Sequence, residues 1–165
     1  MARIRSIKSE EARLVRETNR LLKKVRAIPC DNVASTHDAM RVLVSLRKAT
    51  YENMNQIQHA CLILDSAKWL RKHVLLGREA AWLWHPKQTG GRDEPDLRCR
   101  TGSRVIVAEA TASQVPLDER MRKTLAKLAK MKGARYYFVR TERVRRRAET
   151  KVSKRRWEIN VVLLP

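Results

Sequence analysis

The chain has 165 residues, 43% hydrophobic and 33% charged, enough apolar surface for one domain with its own core and too much for a disordered tail. Lys and Arg number 37 against 17 Asp and Glu, a formal charge of +20 that favours a polyanionic partner, nucleic acid ahead of an anionic membrane surface. Cys30, Cys61 and Cys99 are odd in number and widely spaced, and with the histidines they make no ligand-spaced set, which excludes a disulfide framework and a zinc site.

In chain order, the first pattern is an amphipathic helix from about Ile4 to Ile28. Ile7, Leu14, Leu21 and Ile28 recur every seventh residue, and Pro29 ends the run. No apolar signal segment or membrane span is expected, so the reading is a soluble, cytoplasmic protein without membrane association. Residues 1–34 form a basic N-terminal unit in this reading, and residues 35–165 the core that follows. A second helix starts at Ser35, which Asp38 can answer as a capping pair, and runs to about Val74. Its length without glycine or proline predicts a bend or break. Trp82 and Trp84 then alternate on a strand, AAWLWHP, and belong to the core.

A KQTGGRDE loop leads to two more strands, PDLRCR and RVIVAEA, joined by a TGS turn. Pro116 suits the first turn of a helix that continues to Lys132, with Met121, Thr124, Leu125, Leu128 and Met131 on one face. ARYYFVRT reads as a strand buried on both faces. RVRRRAETKVSKRR reads as a basic link, and RWEINVVLLP as a closing strand with Trp157, Ile159, Val161 and Leu163 alternating. The fold class is α/β: a mixed sheet flanked by helices, with an extra helix at the N-terminus.

The acidic residues on the middle strands stand out in so basic a chain. Strand alternation puts Glu109 and Thr111 on one face, and the TGS hairpin carries the start of one strand to the end of the next. Asp96 and Glu109 could then converge. Two carboxylates held together repel, and a divalent cation such as Mg²⁺ relieves that repulsion with one or two carboxylates, waters and phosphate oxygens. The competing reading makes Asp96 a turn residue and pairs Glu109 with an arginine.

Pro95-Asp96, a hairpin, then Glu109-Ala110-Thr111 at the end of an apolar strand resembles the motif of the PD-(D/E)XK nuclease superfamily, the restriction-endonuclease-like fold. The resemblance covers roughly Tyr51 to Phe138 and implies an αβββαβ core. It implies that Asp96 and Glu109 bind Mg²⁺, with Mn²⁺ as a substitute, and that a Mg-dependent endonuclease hydrolyses DNA. In that family the third motif residue is a lysine, and here Thr111 stands in its place. A hydroxyl supplies no charge, though it can hydrogen-bond a metal-bound water. Families of this type sometimes carry the lysine on the following helix, which makes Lys127 the candidate replacement. Glu52, Asn55, Gln56 and His59 form one stripe on the second helix. The superfamily often places an accessory acid there, so Glu52 is the candidate third carboxylate, with Glu79 as competitor.

Backbone phosphates would be met by Arg120, Arg122 and Lys123, by Arg143, Arg145, Arg146 and Arg147, and by Lys151, Lys154, Arg155 and Arg156. DNA is the expected partner, and a homodimer is expected because a domain of this size cuts both strands as a pair. His85 reads as structural or a DNA contact, and Gly90-Gly91 as a flexible turn. A non-catalytic nucleic-acid-binding protein on the same scaffold, and a basic membrane-surface or partner-binding protein, are the alternative functions.

Overall fold

The computed structural model describes residues 2–3, 7–28, 33–74, 76, 80–84 and 94–164, with the side chains of residues 2, 3 and 52 left aside. In chain order these form β1 (Ala2–Arg3), α1 (Ile7–Arg26), α2 (Thr36–His73), β2 (Ala81–Trp84), β3 (Leu97–Thr101), β4 (Arg104–Thr111), α3 (Asp118–Ala129), β5 (Ala134–Val139), α4 (Glu142–Arg155) and β6 (Asn160–Leu163). The strands make one mixed sheet in sequence order, antiparallel from β1 to β4 and parallel from β4 to β6. The expected α/β class and the αβββαβ order, α2 through β5, are both present.

Alternation along the central strands divides the core into two layers. Ile106, Ala108 and Ala110 of β4 and Phe138 of β5 pack under α2, against Ala60, Leu62, Ile63, Ala67 and Leu70. Val107, Tyr137 and Val139 face the other way, onto Met121, Leu125 and Leu128 of α3 and Val144 and Ala148 of α4. Tyr137, Phe138 and Val139 are fully buried, as a strand covered on both faces requires. Leu14 brings α1 into the α2 layer, Glu11 meets Lys68, and the Arg13 guanidinium lies 5.6 Å over the Trp84 ring. The N-terminal helix therefore packs into the core of the residues that follow it.

The start of α2 follows its sequence signal: Ser35 Oγ accepts from the Asp38 amide at 3.1 Å and donates to Asp38 Oδ2 at 2.8 Å. Four expectations change. The helix runs unbroken for 38 residues, since nothing in its sequence removes a backbone hydrogen bond. Pro116 precedes α3 rather than opening it, and the helix closes at Ala129, before Lys132. The expected basic link is α4, capped by Thr141 on the Val144 amide at 3.3 Å and seated by Val144, Ala148 and Val152 at helical spacing. The last strand is short, with Trp157 and Ile159 before it and Leu163 exposed while Leu164 is buried. His85, Gly90 and Gly91 lie outside the described residues.

Gly133 leads into β5 at φ +107, where an added Cβ would sit 2.3 Å from the Val105 carbonyl oxygen. Gly102, at φ +56 in the β3–β4 turn, has nothing within 4 Å of the same position. The expected outcome in urea unfolding is a loss of about 2–4 kcal/mol for Gly133→Ala, from strain and collision together, and about 1 kcal/mol for Gly102→Ala, from strain alone.

Candidate functional site

The β3–β4 register pairs Leu97 with Ala108. One step outward, Asp96 and Glu109 come opposite each other, and opposed residues of an antiparallel pair project to the same side. Asp96 sits just before β3 and is fixed there by its own chain: its Oδ2 accepts from the Ala110 amide at 2.8 Å. Glu109 is 5% exposed. The hairpin thus brings the two predicted carboxylates together at the sheet rim, and no guanidinium clamps either of them among the described residues.

Lys127 reaches this pair from α3. Held between the buried Leu125 and Leu128, its Nζ lies 2.5 Å from Glu109 Oε1 and donates to the Glu94 carbonyl at 2.9 Å. An ammonium therefore stands beside Glu109 although Thr111 occupies the neighbouring strand position. From the opposite layer α2 contributes His59, also 5% exposed, whose Nε2 approaches Asp96 Oδ1 at 3.4 Å outside good hydrogen-bonding geometry.

The environments of the two acids differ. Burial works to raise the Asp96 pKa, but His59, the Ala110 amide and the Lys127 charge together hold it below its ordinary value. For Glu109, burial and then the Asp96 charge push the pKa up to about 8, against the pull of Lys127. At neutral pH and with no further cation, Asp96 is ionised while Glu109 mostly keeps its proton. Such a split between adjacent carboxyls marks a site with one anion in excess of what its surroundings neutralise.

Hard carboxylate oxygens at a partly closed rim suit Mg²⁺ or Mn²⁺, which need only one or two such ligands from the protein. Among the described residues no group of three or more His, Cys, Asp and Glu side chains is arranged to hold a metal. The residues present fit a two-carboxylate ion better than an all-protein cage.

Thr111 faces a different partner. Its hydroxyl shares a 2.7 Å hydrogen bond with Tyr137 of β5. Burial pushes the Tyr137 pKa up to about 12, and the Glu109 charge adds to that rise. Thr111 thus ties β4 to β5 beside the acids. The Glu52 side chain and Glu79 lie outside the described residues. His59 is the residue that sequence reasoning passed over; its place on the stripe with Asn55 and Gln56 was the available signal.

The basic residues fall into two groups. Arg122 and Lys123 pair with Glu119, Arg145 and Arg146 with Glu142, and Arg147 and Lys151 with Asp118. Hydrogen bonds from Arg147 and Lys151 hold the Asp118 carboxyl well below its usual range. These pairs lie at the surface, with Glu142, Arg145 and Lys151 partly covered, so solvent and salt leave them little net strength. Arg120, Arg143, Lys154, Arg155 and Arg156 are exposed, with no acid paired to them among the described residues. Pro116, Asp118, Glu142, Arg143, Arg146 and Arg147 line an open cleft of about 680 Å³ between α3 and α4. Both helices follow strands of the parallel half of the sheet, α3 after β4 and α4 after β5.

Comparison with protein-family models, curated proteins and solved structures finds no match to this chain. Among the described residues, no helix is long and apolar enough to cross a membrane.

Glu109 gives a pH prediction for the metal-free protein. Its folded pKa of about 8 stands above its ordinary value of 4.5. The stability contributed by the neutral carboxyl is therefore complete below about pH 4.5 and lost as pH rises toward 8. Glu109→Gln keeps the group neutral. With chelator present, its melting temperature should stay flatter between pH 5 and 9 than that of the wild type, exceeding it near pH 8 by the equivalent of about 2–4 kcal/mol. Parallel pH profiles would show that Glu109 does not titrate in this window.

Proposed function

We propose that this chain is a metal-dependent endonuclease that hydrolyses DNA phosphodiester bonds, built on a restriction-endonuclease-like core and using Mg²⁺ or, in substitution, Mn²⁺. The observation that carries the reading is Lys127 beside Glu109, opposite Asp96: a pair of acids and one ammonium gathered from three separate elements. An isolated acidic pair would find an arginine in a chain of this composition. Here it finds a lysine from the following helix instead.

Asp96 and Glu109 supply the anionic oxygens for the ion. When bound, the ion polarises the scissile phosphate and lowers the pKa of the attacking water. Lys127 keeps a positive charge beside Glu109, which favours its ionised form and leaves an ammonium near the reacting phosphate. The Ala110 amide holds Asp96 in place, and His59 stands beside its other oxygen. Thr111 and Tyr137 brace the strand end beneath Glu109.

The basic surface supplies affinity. Exposed guanidinium and ammonium groups on α4 bind backbone phosphates and release counterions, whichever bases are present. Arg145, Arg146, Arg147 and Lys151 exchange their own acids for phosphate at small cost, because an exposed pair loses little when it opens. Glu142 and Asp118 then keep those side chains extended until the polyanion arrives. DNA is the partner on this reading, met in the cytoplasm, and two chains would carry one site to each strand.

Plasmid nicking tests the proposal. Cleavage should require Mg²⁺ or Mn²⁺ and fall by roughly a thousandfold or more in Asp96→Ala and Glu109→Ala, with Lys127→Met losing on the order of a hundredfold. All three variants should retain salt-dependent DNA binding. Arg143→Ala and Lys154→Ala should weaken binding alike on unrelated sequences, each lowering the salt slope by about 1. A protein that binds DNA under these conditions and never cuts it is the non-catalytic binding module instead.

A further inference from the structure

Asp118, in the first turn of α3, is gripped by two cations of α4. Arg147 meets it with a parallel fork, Nε to Oδ1 at 3.0 Å and Nη2 to Oδ2 at 2.9 Å, and Lys151 Nζ lies 3.0 Å from Oδ1. A guanidinium fork with an ammonium beside it accepts a phosphate as readily as a carboxylate. Asp118 and Arg147 stand in the wall of the cleft of about 680 Å³ between the two helices, which also carries Arg143 and Arg146.

The charges around this cleft do not balance. Arg143, Arg146, Arg147 and Lys151 stand against Asp118 and Glu142, an excess of two positive charges. Arg145, which shares Glu142, is matched in turn by Glu149. Arg143 is exposed and pairs with no acid among the described residues. The first turns of α3 and α4 both line the cleft, so the positive ends of two helix dipoles add to the excess.

We propose that this cleft binds a phosphomonoester dianion, the phosphate taking the place that the Asp118 carboxylate holds in the free protein. The class of phosphate follows from the exchange. A phosphodiester brings one charge and two free oxygens, as the carboxylate does, so the exchange is even. A monoester at neutral pH brings nearly a second charge and a third oxygen. That oxygen is left for Arg143, and the added charge meets the excess. None of the lining residues is aromatic, so a base finds no ring to stack on and the phosphate carries the affinity. The source that fits is the terminal phosphate of a nucleic-acid strand. The rest of the strand can then follow the exposed Lys154, Arg155 and Arg156 toward the end of α4, contacts that a free nucleotide lacks. Asp118 acts as an internal competitor that keeps the fork in shape until such an end arrives. The inference rests on the cleft and stands whether or not the Asp96–Glu109 site cleaves.

Fluorescence anisotropy of the full chain, with chelator present, provides the test. Short single strands carrying a phosphate at one end or the other are compared with a hydroxyl-ended strand lengthened to equal charge. At least one phosphorylated strand should bind with a Kd roughly tenfold lower at about 0.15 M salt. Asp118→Asn should widen that preference several-fold, because the competitor no longer carries a charge. Arg147→Lys keeps the charge but loses the fork, and should abolish the preference. Glu158→Gln makes the same change in net charge outside the cleft, at a side chain 93% exposed, and should leave the preference as in the wild type. Equal binding of phosphorylated and hydroxyl strands overturns the proposal and leaves DNA binding intact, and so does a preference that survives Arg147→Lys. Failure to bind any strand overturns this inference and the DNA partner together. A nucleoside monophosphate that displaces the phosphorylated strand at comparable concentration would make the free nucleotide the source of the same phosphate.

Discussion

The arrangement of this molecule turns on one unfavourable contact: a carboxyl buried opposite another carboxyl. Glu109, on the central strand and covered by α3, has lost the water that would ionise it, and Asp96 faces it across the hairpin. A fold under selection for stability alone would place a neutral side chain there, because a buried anion beside another anion is among the costlier groups a core can contain. Each neighbour answers that cost. The Ala110 amide fixes one Asp96 oxygen, His59 stands at the other, and the Lys127 ammonium lies against Glu109. The balance is incomplete, as the raised Glu109 pKa records.

The positions of those neighbours follow from the topology. β4 is central, paired antiparallel with β3 and parallel with β5, so its C-terminal end lies where the antiparallel half of the sheet meets the parallel half. α2 covers one face there and α3 the other. His59 therefore arrives from one layer to meet Asp96, and Lys127 from the other to meet Glu109, at the strand ends that both layers reach. Ligand sites in open α/β sheets tend to lie beyond the carboxyl ends of the strands for the same reason: helix starts and strand ends expose functional groups that the middle of the sheet must bury.

Much of this was legible before any coordinates. Strand alternation and a tight turn were enough to bring Asp96 and Glu109 to one rim, and the structure sets them opposite because Thr101 pairs with Arg104, leaving a turn of Gly102 and Ser103 alone. Lys127 was legible as a lysine beside an apolar stripe on the helix that follows. Other features were hidden for physical reasons. α4 was read as a link because its charged residues outnumber Val144, Ala148 and Val152, although one small residue per turn suffices when the helix packs on a strand already buried by α3. His59 was half legible: its stripe with Asn55 and Gln56 marks the helix face, and proximity to Asp96 in three dimensions then singles it out. The lack of any break in α2 was unreadable for a related reason. A long helix crossing a small sheet looks like two helices until its exposed half is seen to continue.

The same surplus of positive charge shapes both the surface and the site, with opposite consequences. Around α4, acids are scarce and mostly shared: Glu142 of α4 serves Arg145 and Arg146, and Asp118 of α3 serves Arg147 and Lys151. Shared acids leave residual cationic charge in the open, where water screens it and a polyanion can claim it. At the rim the ratio is inverted. Asp96 and Glu109 share one ammonium, with a histidine to the side, in the most basic of chains. Long arginine side chains from the surface could have reached an acid that lay in solvent, and burial of Glu109 keeps them out. Exclusion from water also raises the pKa of that acid, to about 8.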